Sequence, residues 1–263
     1  MKLLTLNCHS WQEEDQVEKI KYLAKTIHEK NYDLIALQEV SQSIKSEYVD
    51  SRLKKDNFAL LLKKELDKYE KDKYDFYWDF SHIGYDVYEE GLAIFTKHKI
   101  IESNSFFITE SENILYWKSR KMIEVKIYYN KKELNFYSCH LGWWNDEDEP
   151  FKNQVDNLLK YINKDSISIL LGDFNNNAFI ENEGYDYLMK CNLIDTFSLA
   201  KDKDSGITVK GKIAGWEENE EKLRLDLILI NQNISVESSK VIFNGSNKHI
   251  ISDHYGVECK IEI

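Results

Sequence analysis

A chain of 263 residues with a formal charge of −11 and a pI near 5.2 is poorly suited to holding long nucleic acid nonspecifically, because phosphate tracks are met by clustered Lys and Arg. Charged residues make up 31% and aromatics 13%, with one proline and ten glycines, which excludes low-complexity and disordered classes. No apolar segment reaches bilayer length, and the size suits one domain over residues 1–263.

In chain order, Lys2 to Leu6 reads as a buried strand that delivers Asn7 at its end. Val17 to Lys30 carries Val17, Ile20, Leu23, Ala24 and Ile27 at helical spacing, and Asp33 to Glu39 is a second apolar run ending in a carboxylate. The first forty residues therefore predict a β-α-β unit with Asn7 and Glu39 at strand ends. Arg52 to Tyr69 predicts a helix, Tyr74 to Ser81 an aromatic strand, and His82 to Asp86 a loop before the strand-like Gly91 to Phe95. His82 is then either a surface loop histidine or a substrate contact.

Four strands follow, Ile101 to Ile108, Ile114 to Trp117, Lys121 to Tyr129 and Leu134 to His140, and they should pair as a meander. Arg120, at the start of one, is either a surface ion-pair partner or a fork of donors for a phosphate. Phe151 to Ile162 has helical spacing, and Ile167 to Leu171 is an apolar run leading through Gly172 to Asp173, Asn175, Asn176 and Asn177. The pairs Asn7 to Glu39 and His140 to Asp173 are each separated by about thirty residues, the pattern of two β-α-β halves facing each other. A helix is predicted for Glu183 to Lys190 and a flexible loop for Lys201 to Glu221. Asp226 lies in the apolar run Arg224 to Ile230, where an unpaired carboxylate is costly, and His254 is its expected partner. Tyr255 to Ile263 is the last strand. Cys8, Cys139, Cys191 and Cys259 form no CxxC pair and read as reduced, and the start has too short an apolar stretch for a signal peptide, so a cytoplasmic protein is expected.

The polar strand ends are thus Asn7, Glu39, His140, Asp173, Asn175, Asp226, Asp253 and His254. An oxygen-rich set of this kind suits Mg²⁺ or Mn²⁺ rather than zinc. Phosphoester cleavage brings two anions together, and a divalent ion offsets their repulsion while lowering the pKa of bound water. Leu6-Asn7, Leu37-Gln38-Glu39-Val40, Gly172-Asp173-Phe174-Asn175, Arg224-Leu225-Asp226 and Ser252-Asp253-His254 resemble, in order, the signature of the endonuclease/exonuclease/phosphatase family. The resemblance covers nearly the whole chain. It implies an α/β fold, the four-layer α-β-β-α sandwich of two packed mixed sheets called DNase I-like, and metal-dependent phosphoester hydrolysis. Carried over by motif, it makes Glu39 the metal ligand with Asn7 and Asp253 nearby, and Asp173 the group that orients or deprotonates water. Asn175 then positions the water or phosphate, while His254, held by Asp226, and His140 contact phosphoryl oxygens. His9 stands where many relatives place an acid or amide.

The family includes nucleases, sphingomyelinases and phosphatases, so the fold does not choose the substrate. Leu141-Gly142-Trp143-Trp144 after His140, together with Trp216, offers flat faces for sugar rings, or else core and rim aromatics. With His82 to Tyr85, this segment is similar to the maltose 6'-phosphate phosphatases of the family. The expectation is a phosphomonoesterase on a sugar phosphate, with Arg120, His82, Trp143, Trp144 and Trp216 as substrate contacts. A nuclease or other phosphodiesterase, and a non-catalytic binding protein, are the alternatives.

Overall fold

In the computed structural model, which describes residues 1–263, β1 (Lys2–Asn7), α1 (Gln16–Lys30) and β2 (Leu34–Ser43) form a β-α-β unit with β1 parallel to β2. After α2 (Phe58–Leu66), β3 (Asp75–Gly84) and β4 (Tyr88–Thr96) form an antiparallel pair. The meander is β5 (Ile100–Phe107), β6 (Lys121–Tyr129) and β7 (Lys132–His140), and α3 (Phe151–Tyr161) crosses over to β8 (Ile167–Asp173), parallel to β7. Next come α4 (Gly184–Lys190), β9 (Ile194–Asp195), α5 (Thr196–Leu199) and β10 (Asp202–Lys203). A short hairpin, β11 (Val209–Lys210) with β12 (Lys222–Leu223), precedes β13 (Asp226–Ile230), β14 (Ser235–Ile242) and β15 (Gly256–Glu262).

These strands make a seven-stranded sheet, β10-β14-β15-β1-β2-β4-β3, and a six-stranded sheet, β5-β6-β7-β8-β13-β9. Strand alternation explains how they pack. Leu3, Leu34 and Ile94 of the first sheet face Phe136, Ile169, Leu171 and Ile228 of the second in a shared core. Their neighbours Leu4 and Ile35 turn outward against Ile20, Leu23 and Leu62 of α1 and α2, and Leu170 turns outward against Val155 and Leu158 of α3. Central strands covered on both faces need apolar side chains at most positions, which is why they read as near-continuous apolar runs. The result is the DNase I-like α-β-β-α sandwich.

Several expected elements shift. The helix expected from Arg52 to Tyr69 is confined to Phe58–Leu66, because Asp50 Oδ1 accepts from Arg52 N and Leu53 N at 2.7 Å and holds a turn. Asn57 Oδ1 then caps the helix by accepting from Leu60 N at 2.9 Å. Ile114 to Trp117 is not a strand. Asn113 Oδ1 accepts from Leu115 N at 3.0 Å and Asn113 O from Tyr116 N at 2.9 Å, so the segment winds into turns. His82 to Asp86 is only partly a loop, since β3 runs on through His82 to Gly84. β14 has no counterpart in the sequence reading, because Ser235-Val236-Glu237-Ser238-Ser239-Lys240 offers no continuous apolar run.

Candidate active site

Strand register brings the polar ends together. Asn7 pairs across from Gln38, and Asp173 is opposite His140 on one side and Asp226 on the other. Glu39 needs a further device. The β2–β4 ladder slips between Leu37 and Val40, and within that bulge Glu39 takes a positive φ of 50°, which swings its carboxylate towards the strand ends. The turn carrying Asp253 and His254 is tied down by Ser252 Oγ, which donates to Asn7 O at 2.7 Å.

Asn7 Nδ2 donates to Glu39 Oε1 at 2.8 Å and to Asp173 Oδ2 at 3.2 Å, so one buried amide spans both carboxylates. Asp173 Oδ2 also has His140 Nε2 at 3.7 Å and His254 Nε2 at 3.8 Å. His254 Nδ1 donates to Asp226 Oδ2 at 2.9 Å. That bond fixes the tautomer and leaves Nε2 aimed at Asp173. Asn175 N donates to Asp173 Oδ1 at 2.8 Å.

Burial sets the proton affinities. Desolvation, reinforced by Asp226, pushes Asp173 up to about 7, against the pull of His254. Burial and Asp253 likewise raise Glu39. For His254 burial works the other way, yet Asp226 and Asp173 outweigh it and hold the imidazole charged. His140 is pushed well down by burial and Arg120, and stays neutral.

Beside these groups opens a cavity of about 620 Å³. Glu39, His140, Asp173, Asn175, Asp253 and His254 line it, as do Arg120, His82 and Trp143 among the expected substrate contacts. His82 is buried rather than a surface residue, its Nδ1 donating to Ser119 O at 3.1 Å. Burial and Arg120 lower it to about 3. Arg120 is 4% exposed; Nη1 donates to Trp117 O at 2.9 Å, while Nε is buried without a partner. Two expected contacts are not among the lining residues. Trp144 packs away from the cavity, against Phe151 and Tyr187, and Trp216 lies behind the wall with its indole N–H on Asn175 Oδ1 at 3.1 Å. Asp226 and Asn7 are likewise behind the wall, acting on residues that line it.

Sequence reasoning missed Glu90, Tyr85 and Trp117, all of which line the cavity. Burial and Glu39 push Glu90 up to about 8, against Arg120. Trp117 meets Trp143 edge-on with ring centres 6.0 Å apart. A carboxylate two residues ahead of an apolar run, as in Glu90-Gly91-Leu92, is the one signal by which Glu90 could have been found.

Could this site take a cation? Burial and the neighbouring Asp253 raise the cost of ionising Glu39, against the Asn7 amide, His9 and His254. Hard oxygen donors that outnumber the cations around them fit a divalent ion. His9, Glu13 and Asp253 also bring ligand atoms within 4.8 Å of one another. Asp173, Asp226 and His254 do the same, but there Asp226 Oδ2 is already taken by His254 Nδ1.

Residues 4–254 match the endonuclease/exonuclease/phosphatase family. The chain belongs to that family. It is accordingly a phosphoester hydrolase, of a family typically dependent on divalent metals. Among solved structures it is similar to an endonuclease/exonuclease/phosphatase family protein from Leptotrichia buccalis, with 40% identity, full coverage of both chains and a TM-score of 0.94. The mannosyl-6-phosphatase of Bacteroides thetaiotaomicron shares the fold at 16% identity over all of both chains, TM-score 0.73. So does D. rerio TDP2 complexed with a single-strand DNA product, at 14% identity over 100% of this chain and 99% of that one, TM-score 0.68. Among curated proteins none matches by sequence. No helix is long and apolar enough to cross a membrane.

Proposed function

We propose that the protein is a Mg²⁺- or Mn²⁺-dependent phosphomonoesterase acting on a sugar phosphate, with maltose 6'-phosphate as the leading candidate. The observation that carries this reading is the lining of the cavity. Six carboxyl groups, Glu39, Glu90, Asp146, Asp173, Glu217 and Asp253, stand against three cations, Lys118, Arg120 and the charged His254. A nucleic acid would bring a row of phosphates into that field. A sugar monoester brings one, and a neutral ring for the indoles of Trp117 and Trp143.

In this reading Glu39 and Asp253 hold the cation, and Asn7 keeps Glu39 and Asp173 apart and oriented through its single amide nitrogen. The bound ion would supply charge neutralisation at the phosphoryl group and a more acidic water. Asp173, with an affinity near 7, is suited to take a proton from the attacking water. Charged His254 donates Nε2–H to a phosphoryl oxygen, and Asp226 keeps that nitrogen the free one. Neutral His140 is a second hydrogen-bonding group on the same centre. Arg120, buried and with Nε unpartnered, offers its fork to the non-bridging oxygens. Uncatalysed monoester hydrolysis calls for accelerations of up to about 10²¹, so these groups act together on one in-line displacement.

The experiment is a hydrolysis panel with Mg²⁺ or Mn²⁺: phosphorylated mono- and disaccharides against single- and double-stranded DNA. Turnover of a disaccharide phosphate well above any diester supports the reading, and preferential DNA cleavage overturns it.

A further inference from the structure

Both ends of the Asn175 carboxamide are already engaged by protein. Nδ2 donates to Leu141 O at 2.9 Å, and Oδ1 accepts from Trp216 Nε1 at 3.1 Å. A carbonyl can only accept and an indole N–H can only donate, so the two partners together permit a single orientation of the amide. The orientation leaves the second Nδ2 hydrogen and one Oδ1 lone pair for the cavity that Asn175 lines.

Trp216 is itself held firmly. It belongs to the segment between β11 and β12, where Trp216 N donates to Ile213 O and Asn219 N to Trp216 O, both at 3.0 Å. Its ring packs on the buried cluster of Val209, Leu223 and Leu225. Beside it, Gly215 lies so close to Trp143 that a Cβ there would fall 2.3 Å from Trp143 Cζ2. The same hairpin supports the other side of the centre, since Thr208 Oγ1 accepts from Leu225 N at 3.0 Å and Asp226 N at 3.2 Å.

We infer that Trp216 is a positioning residue: its indole N–H locks the Asn175 carboxamide so that an N–H donor faces the reacting phosphoryl group. This rests on the phosphoester-hydrolase reading of the site. Trp216 touches no reacting atom. Its contribution passes entirely through Asn175, and the β11–β12 hairpin becomes the scaffold that preorganises it.

Two measurements test this. In the ¹H–¹⁵N spectrum of the full chain, the Trp216 indole signal is identified by its loss in Trp216→Phe. Asn175→Ala should shift it and speed its exchange with water, whereas Asn175→Asp, which keeps an acceptor oxygen, should leave it protected. A signal indifferent to Asn175→Ala overturns the inference, and this arm stands even if no phosphoester proves to be a substrate. The kinetic arm uses p-nitrophenyl phosphate with Mn²⁺. Trp216→Phe should lower kcat about tenfold with KM nearly unchanged, as for loss of one aligned hydrogen bond. In an Asn175→Ala background the same substitution should cost nothing further. An equal loss in both backgrounds would mean that Trp216 merely supports the fold. Absence of turnover in the unmutated protein would instead count against the phosphoesterase reading.

Discussion

At the scale of single residues, the site is built from groups whose ordinary ionisation has been shifted by burial and by one another. Asp173 is 1% exposed and sits near pH 7, so it can accept a proton where an exposed aspartate could not. Asp173→Asn should lower turnover by about 10³-fold or more while the fold persists. The metal-free variant should also melt a few degrees higher, since an amide avoids the desolvation of a carboxylate. Glu90 gives a pH test whose sign can be worked out. Its folded affinity, about 8, and that of Asp173, about 7, both lie above the ordinary carboxylate values of 4.5 and 3.8, so the native state holds protons that the unfolded chain has released. Stability from such groups is lost as pH rises towards the folded values. His82 and His140 are depressed, and their opposing effect is complete once pH exceeds their ordinary 6.5. Between pH 6.5 and 8, metal-free protein should therefore lose stability, and Glu90→Gln should flatten that decline. Calorimetry in a chelator checks this, and an unchanged slope would contradict it.

At the scale of elements, the decisive device is the seam between β7 and β8. Gly172 packs so closely on β7 that a Cβ would lie 1.9 Å from Cys139 O, one residue before the His140 and Asp173 pair. Gly172→Ala must part the two strands, so we expect destabilisation of about 2–4 kcal/mol and loss of most turnover, measured by urea unfolding and kinetics on the same sample. This seam was legible in the sequence, because Ile167 to Leu171 is apolar at every position but Ser168 and stops at Gly172-Asp173. The same holds for Leu3 to Leu6 and Leu34 to Leu37, strands covered on both faces whose polar ends announce themselves. Elements that break this rule were not legible. β14 alternates buried and exposed positions near the edge of its sheet, so its apolar residues never form a run. Trp117 looked like part of a strand because Ile114-Leu115-Tyr116-Trp117 is apolar, although it belongs to turns fixed by the Asn113 side chain. Glu90, His82 and Arg120 meet only through the pairing of β3 with β4 and the approach of β6, long-range contacts that no local pattern encodes. Trp216 reads as a flat face for a sugar ring, yet its indole N–H is directed at Asn175, since aromatic character says nothing about which way that N–H points.

For the molecule as a whole, the two sheets meet so that their polar strand ends pool carboxyl groups at one edge, in a chain already at −11. Concentrated like charge opposes folding unless something binds there, which makes the melting temperature a direct readout of the site. A divalent cation that binds only the native state stabilises it by about 2.7 kcal/mol at a hundred times its dissociation constant. For a chain of this size that corresponds to a rise in Tm of roughly 5–10 °C. Mg²⁺ or Mn²⁺ added to chelator-treated protein should produce such a rise, saturating with concentration, whereas NaCl at equal ionic strength should give little, because screening acts weakly on buried carboxylates. Glu39→Gln separates site binding from general screening. The variant retains the Asn7 contact through its side-chain oxygen and loses one of the charges that repel, so without metal it should melt at or above the unmodified protein. With metal its Tm should no longer climb. A Glu39→Gln protein that still gains the full increment would move the cation away from Glu39 and Asp253, and with it the charge neutralisation on which hydrolysis at this edge depends.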